Sequence, residues 1–264
     1  MSCAERIPVP LPDGGEISFL FERPDVPGRV PCVLFIHGGG WDSCSADYYL
    51  RHMEIICRRG AAAASAEYRL KTPDTHVSRL VYDCGEIIRY MRKNAEGLGI
   101  LENMICVAGE SAGGHLALCL SSPLIVPDDG VRPDLTLNLN GVVDMTGVFS
   151  DRFFSEEEQG SCTDPGRWLD IYGEAENWSP AFRVSAGNSP TVHFHGLLDR
   201  VVRPGETVRY HRELLSHGVP SELHLLPGMN HAFILFDYDN PDGVVYSILD
   251  MICGTLLKSG WLKQ

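Results

Sequence analysis

The chain has 264 residues, 44% of them hydrophobic, which suffices for a sizeable core in one domain of α/β size. A net charge of −13 speaks against a polyanion partner, so no nucleic-acid binding is expected. No apolar run reaches the roughly 18 residues of a membrane span, and the first residues lack a signal peptide's apolar core. Nine cysteines without a CxxC pair read as reduced thiols of a cytoplasmic protein, with no disulfide framework and no metal site.

In chain order, Ile7–Leu11 and Glu16–Phe21 alternate around Asp13-Gly14-Gly15, which predicts an antiparallel hairpin at a sheet edge. Val30–Ile36 reads as a buried strand running into His37-Gly38-Gly39-Gly40-Trp41, and Ala61–Glu67 as another between Gly60 and Pro73. Apolar residues between Arg79 and Asn94 recur at helical spacing. Met104–Ala108 predicts a strand and His115–Leu120 a buried helix, joined by Gly109-Glu110-Ser111-Ala112-Gly113. Strand, Gly-x-Ser-x-Gly and helix together describe a nucleophile elbow, though alone the pattern also fits an ordinary glycine-rich turn.

A strand is predicted around Leu135–Val143. Thr146 to Asn188 then shows no periodicity but carries Phe153, Phe154, Trp168, Tyr172 and Trp178, and is read as a small lid or pocket-forming insertion (146–188). A strand over Pro190–His195, a helix over Glu206–His217, a strand over Glu222–Leu226 and a helix over Val244–Leu257 complete the chain. Strands alternating with helices predict a single α/β domain, 1–264, around a mostly parallel sheet covered on both faces.

Ligands of such a sheet bind beyond the carboxyl ends of its strands. A serine hydroxyl there needs a base, and the base needs an acid to fix its tautomer. Ser111, Asp199 and His231 each follow a strand end, in the order that this chemistry takes on this sheet. Amides of the His37–Gly40 loop and of Ala112 are placed to receive an oxyanion.

HGGGW at 37–41, EYRL at 67–70, GESAGGHLA at 109–117, HGLLDRVV at 195–202 and GMNHAF at 228–233 resemble, in that order, the His-Gly-Gly-Gly esterases of the α/β-hydrolase superfamily. Both the hormone-sensitive-lipase-like and the acetyl/feruloyl xylan esterase-like branches are similar. The resemblance implies the three-layer α/β-hydrolase fold, with Ser111 as nucleophile, His231 as base and then acid, and Asp199 as its orienter. It further implies that Gly39, Gly40 and Ala112 form the oxyanion hole, while Gly38 permits close backbone approach. About thirty residues precede the first parallel strand, so the helical cap of the lipase-like members is expected to be missing. The small, open xylan-esterase-like and formamidase-like members are then the nearer kin.

The implied reaction is hydrolysis of a small acyl ester, acetyl to butyryl, by an acyl-enzyme route without a cofactor. Trp41 and Val202 are expected to wall the acyl pocket, and an aryl group or acetylated carbohydrate to form the alcohol side. A formamidase-type amidase on an N-formyl aromatic is the alternative, and a non-catalytic binding module on the same fold a third reading. These residues leave the alcohol half and the oligomeric state open. Asp83 is expected to anchor a loop, Glu110 to hydrogen-bond under the elbow, and His37 and His195 to fix loops. Asp237 and Asp239 are the nearby rivals to Asp199. His193 and His195 share a strand face without further ligands at metal spacing. His52, His76, His211, His217 and His224 read as surface or helix residues.

Overall fold

The computed structural model describes residues 4–72, 74–146, 174–235 and 244–262. Pro73, Phe153, Phe154, Trp168, Tyr172, Asp237 and Asp239, and with them most of the expected lid, lie outside the described residues. Eight strands form one sheet in the order β1-β2-β4-β3-β5-β6-β7-β8. They are β1 Glu5–Pro10, β2 Glu16–Glu22, β3 Val30–Ile36, β4 Ala62–Glu67, β5 Ile100–Glu110, β6 Leu135–Leu139, β7 Thr191–Gly196 and β8 Ser221–Leu226. The hairpin β1/β2 is antiparallel, with Pro10 opposite Glu16, and β2 also pairs antiparallel with β4. From β4 to β8 every pairing is parallel. Pro8 and Pro10 sit in the edge strand, where missing amide donors leave no ladder bond unmade.

Alternation along the strands sorts the core into two layers. Cys32, Leu34 and Ile36 of β3 face one side with Ile105 and Val107 of β5, and meet helices α2 (Val77–Lys93) and α4 (Ala112–Ser121) there. A short α3, Ala95–Leu98, follows α2. Val33 and Phe35 face the other side with Cys106 and Ala108, and meet α1 (Leu50–Arg58) and α6 (Val244–Lys258). Helix α5, Pro204–Ser216, packs Tyr210 and Leu214 against Leu118 and Val143. Each fully buried aliphatic side chain of this kind contributes roughly 1.5–3 kcal/mol. Both sheet faces are thus covered, as expected of a three-layer α/β-hydrolase fold. Among the described residues no helix is long and apolar enough to cross a membrane.

The structure departs from the sequence expectations at several places, among them the short α3 and the earlier start of β5 at Ile100. Residues 42–60 carry no predicted element, yet a 3-10 turn, Ala46–Tyr49, leads there into α1. Met53, Ile56 and Cys57 bury at helical spacing, but no side chain caps the start, so the usual entry signal is missing. Strand β6 stops at Leu139 instead of continuing to Val143, because Asn140 turns left-handed (φ 44°) and carries the chain over the strand end. Of the histidines expected at a surface or on a helix, His52 is helical as expected, though fully buried with Nε2 3.0 Å from the Ile234 carbonyl, whereas His224 lies half-buried in β8.

Candidate active site

Ser111 joins β5 to α4 with φ 52° and ψ −118°, a conformation costly for a residue with a Cβ. The turn is held by the Ser111 amide on the Leu139 carbonyl (3.0 Å) and by the His115 amide on the Ser111 carbonyl (3.0 Å). A Cβ on Gly113 would lie 2.0 Å from the Ile36 carbonyl oxygen, and one on Gly109 2.2 Å from that of Gly113. Only glycine allows β3, β5 and α4 to approach this closely. Strand β5 is therefore free to present Ser111 at its carboxyl end.

Two loops bring the other members to it. The amides of Leu197 and Leu198 bond the carbonyls of Leu226 (3.0 Å) and Met229 (2.9 Å), locking the turn after β7 to the turn after β8. His231 then lies with Nε2 2.8 Å from Ser111 Oγ and Nδ1 2.8 Å from Asp199 Oδ2. The amides of Val201 and Val202 donate to Asp199 Oδ1, each at 2.9 Å. Burial by itself would raise the Asp199 pKa. Hydrogen bonds from His195 and His231, the charge of His231 and the Val202 amide outweigh it and hold the carboxyl well below the usual carboxylate range. Asp199 thus stays anionic where an acid must orient an imidazole.

Across from Ser111, the loop after β3 turns through Gly39 (φ 93°) and Gly40 (φ 59°). Among the described residues the amides of Gly39, Gly40 and Ala112 donate to no backbone carbonyl. Gly38 matches its expected role: a Cβ there would lie 2.1 Å from Glu110 Oε2. Tyr68, from the EYRL segment, stacks on His37 and donates to its carbonyl (2.9 Å), fixing the base of this loop. Asp83 anchors a loop as expected, taking the Arg69 amide (3.1 Å) and its guanidinium.

Glu110 is 1% exposed and accepts from Asn140 Nδ2 (3.0 Å), with Oε1 3.8 Å from His231 Nε2. Burial raises its pKa, against the opposing pull of His231 and the Asn140 bond. Trp41 and Val202 are 6% and 2% exposed and share a cluster with Val142 and Met145. The Trp41 indole donates to His115 Nδ1 (3.3 Å), and His115 Nε2 meets the Trp178 carbonyl (2.7 Å), tying the glycine loop to α4. His115 and Asn140 were not singled out as site residues in the sequence. The first sits inside an apolar helical run, and the second's role follows from a left-handed turn that composition does not announce.

Comparison with known proteins gives a match to the BD-FAE family over residues 20–214, a span that includes the glycine loop, Ser111 and Asp199 and ends before His231. Esterase LipC of Mycobacterium tuberculosis is 28% identical over 240 residues, 85% of this chain, which spans 59% of the length of LipC. Ethyl acetate hydrolase of Pseudomonas putida is 26% identical over 258 residues, covering 88% of this chain and 76% of that protein. Esterase 2 of the planctomycete Thermogutta terrifontis, phosphonylated by sarin, superposes with a TM-score of 0.84 at 26% identity over 100% of this chain and 98% of its own. With the family match covering most of its length, the chain belongs to the BD-FAE family and has the α/β-hydrolase fold.

Proposed function

We propose that the chain is a serine carboxylesterase acting on small acyl esters. The observation that carries this reading is the His231 ring, held at 2.8 Å on either side by Ser111 and Asp199. In the proposed reaction Ser111 Oγ attacks the ester carbonyl while His231 Nε2 takes its proton. The oxyanion receives the amides of Gly39, Gly40 and Ala112. His231 then protonates the leaving alcohol, and the ester becomes an acyl-serine. A water, deprotonated by His231, attacks the acyl carbon and releases the acid and the free hydroxyl.

The substrate range we propose is acetyl to butyryl, with Trp41 and Val202 as walls of the acyl side and an aryl or acetylated sugar alcohol opposite. The butyrate-bound structure of the Thermogutta esterase, 26% identical at a TM-score of 0.80, supports a short acyl side. We read the chain as one catalytic domain, on the strength of a single sheet that takes in all the described strands, with 146–188 as its lid. The seven described cysteines are all free, in keeping with a cytoplasmic setting.

The test is a nitrophenyl ester series from acetyl to octanoyl, run beside an N-formyl arylamide and repeated on Ser111→Ala. We expect kcat/KM to peak between acetyl and butyryl, and Ser111→Ala to fold normally while losing on the order of 10⁴–10⁶ in turnover. A tenth or so of wild-type turnover surviving in Ser111→Ala would refute the serine mechanism. A dominant formamide activity would shift the assignment to an amidase.

A further inference from the structure

His195 is the last residue but one of β7, four residues before Asp199, and is fully buried. Its Nε2 lies 2.9 Å from the Val202 carbonyl and 3.3 Å from Asp199 Oδ2. A carbonyl and a carboxylate only accept, so Nε2 must carry a proton and donate. Its Nδ1 lies 2.9 Å from the hydroxyl of Thr207, which is buried in the first turn of α5. In a neutral ring protonated at Nε2, Nδ1 holds a lone pair, and the Thr207 hydroxyl donates to it.

The acid of the triad therefore faces two imidazoles. Asp199 Oδ2 takes His231 at 2.8 Å and His195 at 3.3 Å, while Oδ1 is occupied by two backbone amides. Rotating the carboxylate would break bonds at both oxygens. His195 also holds the Val202 carbonyl, and so steadies the turn whose amide binds Oδ1. A loop-fixing histidine would need only the Val202 contact. The contacts to Asp199 and Thr207 extend the row to Ser111–His231–Asp199–His195–Thr207.

We propose that His195 and Thr207 are positioning residues for the triad acid, Thr207 setting the His195 tautomer and His195 aiming Asp199 Oδ2 at His231. This rests on the serine-esterase reading above. Thr207→Val removes the hydroxyl and keeps the volume, whereas Thr207→Ser keeps the hydroxyl. With active sites counted by a fluorophosphonate, we expect Thr207→Val to lose about 10-fold in kcat at unchanged KM, and Thr207→Ser to recover it. His195→Gln should lose about 10²-fold, the scale of an ångström-sized misplacement of a catalytic group.

Nitrogen NMR of the ¹⁵N-histidine-labelled enzyme supplies a readout that packing alone would not move. His195, recognised by loss of its signals in His195→Gln, should appear as the Nε2–H tautomer in wild type and as a tautomer mixture in Thr207→Val. Wild-type kcat per titrated site in Thr207→Val, with only a lowered Tm, would overturn the proposal and leave the esterase reading standing. An Nδ1–H tautomer in wild type would overturn it as well. If the wild type neither turns over esters nor takes up the phosphonate, the esterase reading falls instead, and the tautomer measurement still decides what Thr207 does to His195.

Discussion

Glu110 lies beside the nucleophile without belonging to the row that activates it. Its carboxyl packs against the backbone of Gly38, takes a hydrogen bond from Asn140 and stands 3.8 Å from His231 Nε2. A charge at that distance in a partly buried site favours an imidazolium, while its own burial opposes ionisation. Glu110→Gln keeps an acceptor for Asn140 and removes the charge. We expect Tm to hold or rise, since a buried carboxyl is gone, and kcat to fall about 10-fold, or about 1.4 kcal/mol of barrier. Unchanged kcat would reduce Glu110 to a strut under the elbow. Asp199→Asn should be far harsher, about 10⁴-fold in kcat, because the amide stabilises the wrong imidazole tautomer.

The elements that position these residues depend on a few contacts that only glycine permits. Gly113→Ala would push a methyl into the Ile36 carbonyl of β3, so we expect a lowered Tm and loss of phosphonate labelling. Gly97→Ala in α3 meets nothing within 4 Å and should be neutral or stabilising by about 0.4–1 kcal/mol. Thermal melts of both variants check the pair. The parallel strands and the elbow were legible in the sequence because β3 and β5 are apolar runs stopped by glycines, each followed by a reactive group. The helix α1 was not, since an uncapped 3-10 turn precedes it and only three apolar side chains mark its buried face. The overrun of β6 has the same kind of cause: Gly141-Val142-Val143 continues the apolar pattern, while the backbone turns at Asn140. Of the site, the triad and the glycine loop were legible because each occupies a strand end. The helpers Asn140, His115 and Thr207 act through contacts between segments distant in sequence, and no spacing rule joins them.

At the scale of the molecule, three buried histidines tie stability to pH. Burial depresses His52 and His115 to about 4 and His193 to about 3, with the carbonyl contacts of the first two only partly offsetting it. Unfolded, each takes up its proton near 6.5, so as pH falls from about 6.5 towards 4 the unfolded chain binds protons that the native state refuses. Stability is therefore full above about 6.5 and declines through that window, by up to about 1.4 kcal/mol per pH unit for each histidine. Urea midpoints measured at pH 7.5, 6 and 5 should fall in that order, and a flat series would mean that these rings are solvated. The same architecture has a consequence for the newly made chain. In the proposed reaction the oxyanion loop follows β3, the nucleophile follows β5, the acid follows β7 and the base follows β8, and the loops of the last two are bonded to each other. On that reading, a nascent chain halted anywhere before residue 231 holds a serine with no proton acceptor, and hydrolysis begins only when the last parallel strand docks.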